Sequence, residues 1–234
     1  RELELAAEIQ QGLLPAPRPA PFPVQAVNLP ARAVSGDFFD FFELADGEIA
    51  FCLGDVSGKG VNAALLGART ASLYRCLARE VAGPGALLAR LDAALAESVT
   101  RGMFVTLAAG SYDPRRGRVR LANAGHEPPL LRTPEGGFVA FPAEAPPLGV
   151  LGDAEFPETL VELAGGVLYV FSDGLTEACG ADGRPLGPEG VRELLEHFAG
   201  KPLRERIDGV AALLGELGLR DDATLLGVSD EVRR

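Results

Sequence analysis

Two patterns of apolar and polar residues alternate along the chain. In the first, apolar residues occur in short runs or at every second position between Gly, Pro and Asp, as in β-strands. In the second, they return every three or four residues, as on one face of an amphipathic helix. The first pattern predicts strands over residues 24–33, 38–44, 48–54, 104–113, 118–123, 129–131, 138–141, 159–163, 167–172 and 223–228. The second predicts helices over residues 2–14, 62–82, 85–99, 188–199 and 203–217.

The strands and helices occur in blocks, and this order indicates the fold class. The Asp-Gly dipeptide at 46–47 and the turn at 114–117 each predict a hairpin of neighbouring strands. The Gly-Gly dipeptide at 165–166 predicts that the strands on either side of it also pair. Blocks of this kind favour an α+β fold, in which helices flank antiparallel sheets, over a doubly wound parallel sheet. The first two helices after the third strand are expected to cover a sheet.

The first predicted helix has two interpretations. Leu5, Ile9 and Leu13 lie on one face at spacings of four, and the proline-rich segment 15–23 follows. The helix could connect this domain to an upstream module, or it could pack on its own domain as an ordinary first helix. The pattern alone favours neither.

Charge and cysteine content narrow the function classes. The net charge of -11, from 33 acidic and 22 basic residues, opposes binding to nucleic acid or anionic lipid. A phosphorylated substrate would therefore need local positive charge, which bound metal supplies. The cysteines are three in number and widely spaced, which argues against disulfides and predicts a reducing, cytoplasmic compartment. The chain has no leader-like segment and no apolar run of ~20 residues, so we expect no membrane insertion.

Aspartates stand beside glycine at the ends of several predicted strands. The segments are Ser-Gly-Asp at 35–37, Gly-Asp-Val-Ser-Gly-Lys-Gly at 54–60, Ser-Asp-Gly at 172–174 and Asp-Asp-Ala-Thr at 221–224. Each one alone could be ordinary turn chemistry. Together they indicate convergent carboxylates, which repel one another unless a cation neutralises them. Because no His or Cys accompanies them, the oxygen ligands favour Mg²⁺ or Mn²⁺ over Zn²⁺.

In order and spacing these segments resemble the PPM metal-dependent protein phosphatases, and among them the bacterial RsbU and SpoIIE type. The resemblance covers almost the whole chain. It extends to residues 8–15, 104–107, 123–126 and 147–149. The resemblance implies an αββα sandwich of two antiparallel β-sheets flanked by helices. It also implies two units, a regulatory linker helix at 1–15 and a phosphatase domain at 16–234.

The resemblance further implies a set of site residues. Asp55 would bridge two Mn²⁺ or Mg²⁺ ions, the Val56 carbonyl would bind one of them, and Asp173 and Asp221 would bind the other. Asp37 and Asp222 would support this metal site. Asp55, Asp173 and Asp221 would thus be the catalytic residues.

The implied reaction is hydrolysis of phosphoserine or phosphothreonine on a protein by attack of a metal-bound hydroxide. The implied substrate is a phosphorylated anti-anti-sigma (STAS-type) factor in bacterial stress or sigma-factor signalling. An upstream sensor or regulatory domain is also implied, and the opening helix leaves a homodimer open.

Two other functions stay open at this point: a non-catalytic phosphoprotein-binding module with the same fold, and a small-molecule phosphoesterase. A cysteine-nucleophile phosphatase is excluded because Cys52, Cys76 and Cys179 each lack an arginine six residues later.

Four further residues have expected roles beside the aspartates. Lys59 stands where many relatives have His, and as a turn residue between glycines it is not expected to affect the metal site. His126 is expected to stabilise a turn rather than to act as a general acid, and His197 to lie on the surface or in packing. Arg32 is either an exposed charge or a ligand for the substrate phosphate.

Overall fold

The structure is a computed structural model that describes residues 1–97, 102–180 and 183–230. Within these ranges the helices are α1 (Glu2–Leu13), α2 (Val61–Leu77), α3 (Pro84–Ala96), α4 (Asp173–Glu177), α5 (Gly187–His197) and α6 (Leu203–Leu217). The strands are β1 (Val24–Leu29), β2 (Phe38–Glu43), β3 (Ile49–Val56), β4 (Val105–Asp113), β5 (Arg118–Ala124), β6 (Leu130–Arg132), β7 (Phe138–Ala140), β8 (Thr159–Glu162), β9 (Val167–Phe171) and β10 (Ala223–Ser229).

The ten strands form two antiparallel sheets packed face to face. Sheet A has the order β1-β10-β9-β6-β7, and sheet B has the order β2-β3-β4-β5-β8. An apolar layer that includes Phe51, Leu53 and Leu168 fills the space between them. Helices α2 and α3 cover the outer face of sheet B, and α5 and α6 cover that of sheet A. The predicted αββα sandwich is therefore confirmed, as is the expectation that the two helices after β3 cover a sheet.

One predicted strand pairing is wrong. The hairpins β2–β3 and β4–β5 form as expected. In contrast, β8 pairs with β5 in sheet B, whereas β9 lies between β10 and β6 in sheet A. The Gly165-Gly166 turn thus carries the chain from one sheet to the other. The burial of both strands explains this, because Val161 and Leu168 point into the same apolar layer from opposite sides.

The remaining differences concern short elements and element ends. Helix α4 was not predicted, since five residues are too few to show a helical period. Helix α2 ends at Leu77 and is followed by turns, although its apolar pattern continues to residue 82. The predicted end of α3 at Val99 lies outside the described residues.

Helix α1 lies on the surface. None of its residues is buried, and Leu5, Ile9 and Leu13 are all exposed. One link to the sandwich is Gln10, whose side chain accepts a hydrogen bond from the Ser35 backbone N–H (2.9 Å) and donates one to the Ser35 carbonyl (2.6 Å). Helix α1 is thus a surface helix with an exposed apolar face and a polar contact to the sandwich.

The structure bears on two expectations from composition, which concern the cysteines and membrane-spanning helices. Cys52, Cys76 and Cys179 all belong to the described part of the chain, and each is a free thiol. No described helix combines the length and the apolar character needed to cross a membrane.

Candidate active site

Antiparallel pairing brings the aspartate segments to one edge of the sandwich. In sheet B, Phe38 at the start of β2 is the partner of Gly54 near the end of β3, so Asp37 and Asp55 lie close together. In sheet A, Phe171 at the end of β9 is the partner of Leu225 in β10, which places residue 173 beside residues 221 and 222. Because the two sheets are stacked, both pairs of chain ends meet at the same edge.

A cleft of about 270 Å³ opens at this edge. Its lining includes five of the six predicted metal-site residues, Asp55, Val56, Asp173, Asp221 and Asp222. The rest of the lining is Arg32, Val34, Gly36, Ser57, Gly58, Lys59, Gly60, Phe104 and Thr106. The sixth predicted residue, Asp37, is buried beneath the cleft.

Asp37 joins the two sheets below the cleft floor. Its Oδ2 accepts hydrogen bonds from Ser172 Oγ and Thr224 Oγ1, each 2.6 Å long, and both donors belong to the sheet A side. Burial, and next the charge of Asp55, raise the pKa of Asp37 well above its usual range. A hydrogen bond from Asp37 lowers the pKa of Asp55. Asp37 therefore carries a proton readily and supports Asp55 from below.

Asp222 fixes the loop that precedes β2. Its Oδ1 accepts the backbone N–H of Ala31 and its Oδ2 accepts that of Gly36, both at 2.8 Å. Gly36 in turn lies close to Asp55, since a Cβ added there would come within 3.4 Å of Asp55 Oδ1. Both oxygens of Asp222 are thus engaged with backbone, and its role in this structure is to hold one wall of the cleft.

Asp55 and Asp173 are cleft carboxylates whose pKa is raised by burial and by neighbouring acids. Burial, followed by the charges of Asp173 and Asp221, raises the pKa of Asp55 to about 7. Burial, and then the charges of Glu177 and Asp221, also raise the pKa of Asp173. Such shifts mean that the acids destabilise one another in their charged forms. A cation placed among them would remove this repulsion.

Gly174 allows Asp173 to reach the cluster. Asp173 is the first residue of α4, and the Gly174 that follows packs against the start of β10. A Cβ on residue 174 would lie 1.9 Å from the Asp222 carbonyl oxygen, which is far inside van der Waals contact. Only glycine permits this approach, and the approach sets Asp173 opposite residues 221 and 222.

Lys59 contacts the cluster directly, a contact that the sequence pattern did not predict. Its Nζ lies 2.5 Å from Asp221 Oδ2. This contact, rather than burial, raises the pKa of Lys59. The sequence pattern showed a lysine between two glycines, but its partner is 162 positions away and could not be read from it.

The donor chemistry of the cleft fits a hard divalent cation. The ligands on offer are carboxylate and carbonyl oxygens, which Mg²⁺ and Mn²⁺ prefer. Among the described residues, however, no three His, Cys, Asp or Glu side chains are already arranged as a coordination set. The reason is visible in their contacts, because Asp37 faces hydroxyls, Asp222 faces backbone and Asp221 faces Lys59.

His126 lies behind the cleft and does not line it. It is 4% exposed, and its Nδ1 is 2.9 Å from the Oγ1 of Thr106, which does line the cleft. Burial lowers the pKa of His126 to about 4. A neutral, enclosed imidazole is unsuited to donating a proton to a substrate. The turn is held instead by Asn123, whose Oδ1 accepts the His126 backbone N–H at 2.8 Å. His197 is exposed, as expected.

Comparison with known proteins places these features in a family. The family model described as Stage II sporulation protein E (SpoIIE) matches residues 45–229. The phosphoserine phosphatase RsbU of Bacillus subtilis is 28% identical over 232 residues, which cover 96% of this chain and 69% of RsbU.

Solved structures show the same fold. The SiaA-PP2C domain of Pseudomonas aeruginosa superposes with a TM-score of 0.85 at 24% identity, covering 97% of this chain and 95% of that one. The RsbU and RsbW domains of Rv1364c from Mycobacterium tuberculosis give a TM-score of 0.75 at 28% identity, covering 88% of this chain and 59% of that one.

Proposed function

The chain belongs to the SpoIIE family of PPM-type phosphatases, and from this premise we propose that it is a metal-dependent protein serine/threonine phosphatase. The observation that carries the proposal is the convergence of Asp55, Asp173 and Asp221 on one open cleft, where burial and the charges of neighbouring acids raise the pKa of Asp55 and of Asp173. Structural acids are normally paired with donors or cations. Three carboxylates that converge with only the exposed Lys59 in contact, among the described residues, suit a site for divalent ions.

We propose that Asp55, the Val56 carbonyl, Asp173 and Asp221 hold two Mn²⁺ or Mg²⁺ ions, with Asp37 and Asp222 in support. Such ions, when bound, lower the pKa of a water and neutralise phosphoryl oxygens. The protein's part is to hold the carboxylates in place. Asp37 orients Asp55 from below, and Asp222 ties down the loop beside it.

Arg32 is suited to receive the substrate phosphate. It lines the cleft and is exposed to solvent. In a chain with a net charge of -11, a local guanidinium is needed to attract an anion to this edge. Arg32 therefore belongs to substrate binding in this proposal.

The proposed substrate is a phosphoserine or phosphothreonine on a cytoplasmic protein partner, specifically an anti-anti-sigma-like (STAS-type) factor. Two findings support this choice. RsbU, which aligns with nearly the whole chain, is a phosphoserine phosphatase. The Mycobacterium tuberculosis relative combines an RsbU domain with an RsbW domain in one protein.

We also propose that residues 1–15 are a regulatory linker helix and that residues 16–234 are the phosphatase domain. The support is the surface position of α1 and the Gln10 contact with Ser35, which lies two residues before Asp37. An upstream domain or a second copy of the chain could act on the cleft through this contact.

Hydrolysis of an aryl phosphate with added Mn²⁺ tests the function. Asp55→Asn should reduce the rate by at least about 100-fold, because a central ligand becomes neutral. A chelator should abolish wild-type turnover. Asp153→Asn, at an exposed aspartate outside the cleft, is the matched control and should retain the wild-type rate.

The substrate class needs a second measurement. A phosphoserine form of a STAS-type protein should be hydrolysed with a higher kcat/KM than small phosphate esters. If Asp55→Asn keeps wild-type activity, the proposed site is wrong. If small esters are preferred, the enzyme is a small-molecule phosphoesterase instead.

A further inference from the structure

The Lys59–Asp221 ion pair spans the candidate cleft. Lys59 belongs to the turn that follows β3 in sheet B, whereas Asp221 precedes β10 in sheet A. The 2.5 Å contact between Nζ and Oδ2 therefore joins the two sheets across the opening. The pair is also accessible, since the side chains of Lys59 and Asp221 are 49% and 31% exposed. An ion pair this exposed contributes little to stability and is easily broken.

The two glycines that flank Lys59 have open space beside them. Gly58 and Gly60 on either side have φ values of +101° and +81°, which glycine adopts without strain. A Cβ added at either glycine would meet nothing within 4 Å. The turn can therefore move Lys59 without disturbing a core. It also begins close to Asp55, so its movement takes place at the cleft.

Lys59 occupies the oxygen of Asp221 that makes no backbone hydrogen bond and is otherwise open to a cation. Asp221 Oδ1 already accepts the backbone N–H of Asp222 at 3.0 Å. Oδ2 is the remaining oxygen, and the ammonium lies on it. A divalent ion and an ammonium repel each other at this separation, so sharing that oxygen carries an electrostatic penalty, which solvent screening keeps modest at this exposed pair.

We propose that Lys59 is a built-in counter-ion that holds Asp221 until a divalent cation displaces it, so that metal loading is coupled to movement of the turn at residues 58–60. The inference rests on the proposed metal-dependent function and concerns regulation of the same cleft. It assigns Lys59 a positioning role. In this view the turn between Gly58 and Gly60 sets how tightly the site binds metal.

Calorimetric titration of the chelator-treated protein with Mn²⁺ tests the inference. Lys59→Ala and Lys59→Gln should each bind Mn²⁺ about fivefold more tightly than wild type, since a competing cation worth up to ~1 kcal/mol has been removed. Thermal unfolding in chelator gives a second readout, in which both variants should unfold at a slightly lower temperature. Unchanged or weaker Mn²⁺ binding in both variants would overturn the inference.

Arg32→Ala is the matched control for overall charge. Arg32 lines the same cleft, and among the described residues it makes no hydrogen bond to a carboxylate of the cluster. Its removal deletes the same charge without freeing Asp221, so Mn²⁺ binding should tighten by less than about twofold. If Arg32→Ala matches Lys59→Ala, the effect is general electrostatics and the proposed competition is wrong.

Failure of this inference can be told apart from failure of the proposed function. Mn²⁺ binding that requires Asp55 but ignores Lys59 keeps the metal site and removes only the competition. If neither wild type nor Lys59→Ala binds Mn²⁺, both ideas fail together. If only the Lys59 variants bind, the counter-ion role is supported in its strongest form.

Discussion

Two buried aspartates at β2 have opposite surroundings: Asp37 lies directly before the strand and Asp40 lies within it. Asp40 is paired with Arg75 of α2, which donates from Nε to Oδ2 at 2.7 Å and from a terminal nitrogen to Oδ1. Asp37, three residues earlier, meets two hydroxyls and the acid Asp55. Burial raises the pKa of both carboxyls, but only at Asp40 does a guanidinium oppose the rise.

This difference between the two aspartates indicates different roles: the Asp40 pair stabilises the fold, and Asp37 belongs to the candidate site. At Asp40 the protein supplies its own counter-charge, and Arg75 is held further by stacking over the Phe42 ring at 4.9 Å. At the cleft the acids are held together with Lys59 as the cation in contact, and that contact is exposed. The interior acid thus has a permanent partner, whereas the cleft acids are the ones that the proposed divalent cations would neutralise.

The largest expected effect comes from breaking the permanent pair. Arg75→Met should lower the free energy of unfolding by about 2–3 kcal/mol, because Asp40 would remain buried without its partner. Urea denaturation with chelator present measures this. Arg79→Met is the matched control, since Arg79 also lies over Phe42 but is exposed and makes no hydrogen bond to Asp40 among the described residues.

At the cleft, mutation should change the free energy of unfolding in the opposite direction. In chelator at neutral pH, Asp55→Asn should raise the free energy of unfolding by about 1 kcal/mol, after allowance for solvent screening, because it removes repulsion with Asp173 and Asp221. If Arg75→Met and Asp55→Asn shifted stability in the same direction, the contrast between the two regions would be wrong.

An effect confined to low pH is expected at His126, a buried group that has no charged partner among the described residues. Its folded-state pKa of about 4 lies below the ordinary value of about 6.5, so the unfolded chain binds more protons between these pH values. Stability due to the neutral imidazole is therefore complete above pH 6.5 and is lost as the pH falls towards 4. At pH 5 the loss should be about 2 kcal/mol relative to pH 7.5.

Urea denaturation at both pH values checks this against two variants. His126→Gln should lose the pH-dependent part contributed by this residue. His197→Gln removes the exposed histidine and should follow the wild-type pH profile. Identical profiles for all three proteins would show that His126 does not titrate as its burial requires.

The smallest effect is expected at the link between α1 and the cleft. Gln10→Ala removes two hydrogen bonds to the Ser35 backbone and should lower the rate of aryl phosphate hydrolysis by about three- to tenfold. Gln11→Ala, at the exposed neighbouring position, should leave the rate unchanged.

Deletion of residues 2–14 should alter activity or dimerisation, as judged by kinetics and light scattering. If both stay as in the wild type, α1 has no regulatory role.

Much of the fold and the identity of the acidic residues could be read from the sequence. The period-2 runs located all ten strands, and the Asp-Gly turn at 46–47 set the register of β2 on β3. The position of the aspartates beside glycine at strand ends identified them as candidate site residues. These are local signals, because backbone dihedral preferences and the alternation of faces depend on residues near one another in the chain.

Tertiary structure alone decided which residues meet. The Gly-Gly turn at 165–166 looks like a hairpin, yet β8 and β9 belong to different sheets. Strand β8 pairs with β5, and β9 pairs with β10 and β6. Asp37 and Asp55 look alike beside their glycines, but one lies under the cleft and the other lines it. Lys59 reaches Asp221 across 162 positions. Such contacts follow from how the sheets stack, and the chain holds no local pattern that encodes a distance across two sheets.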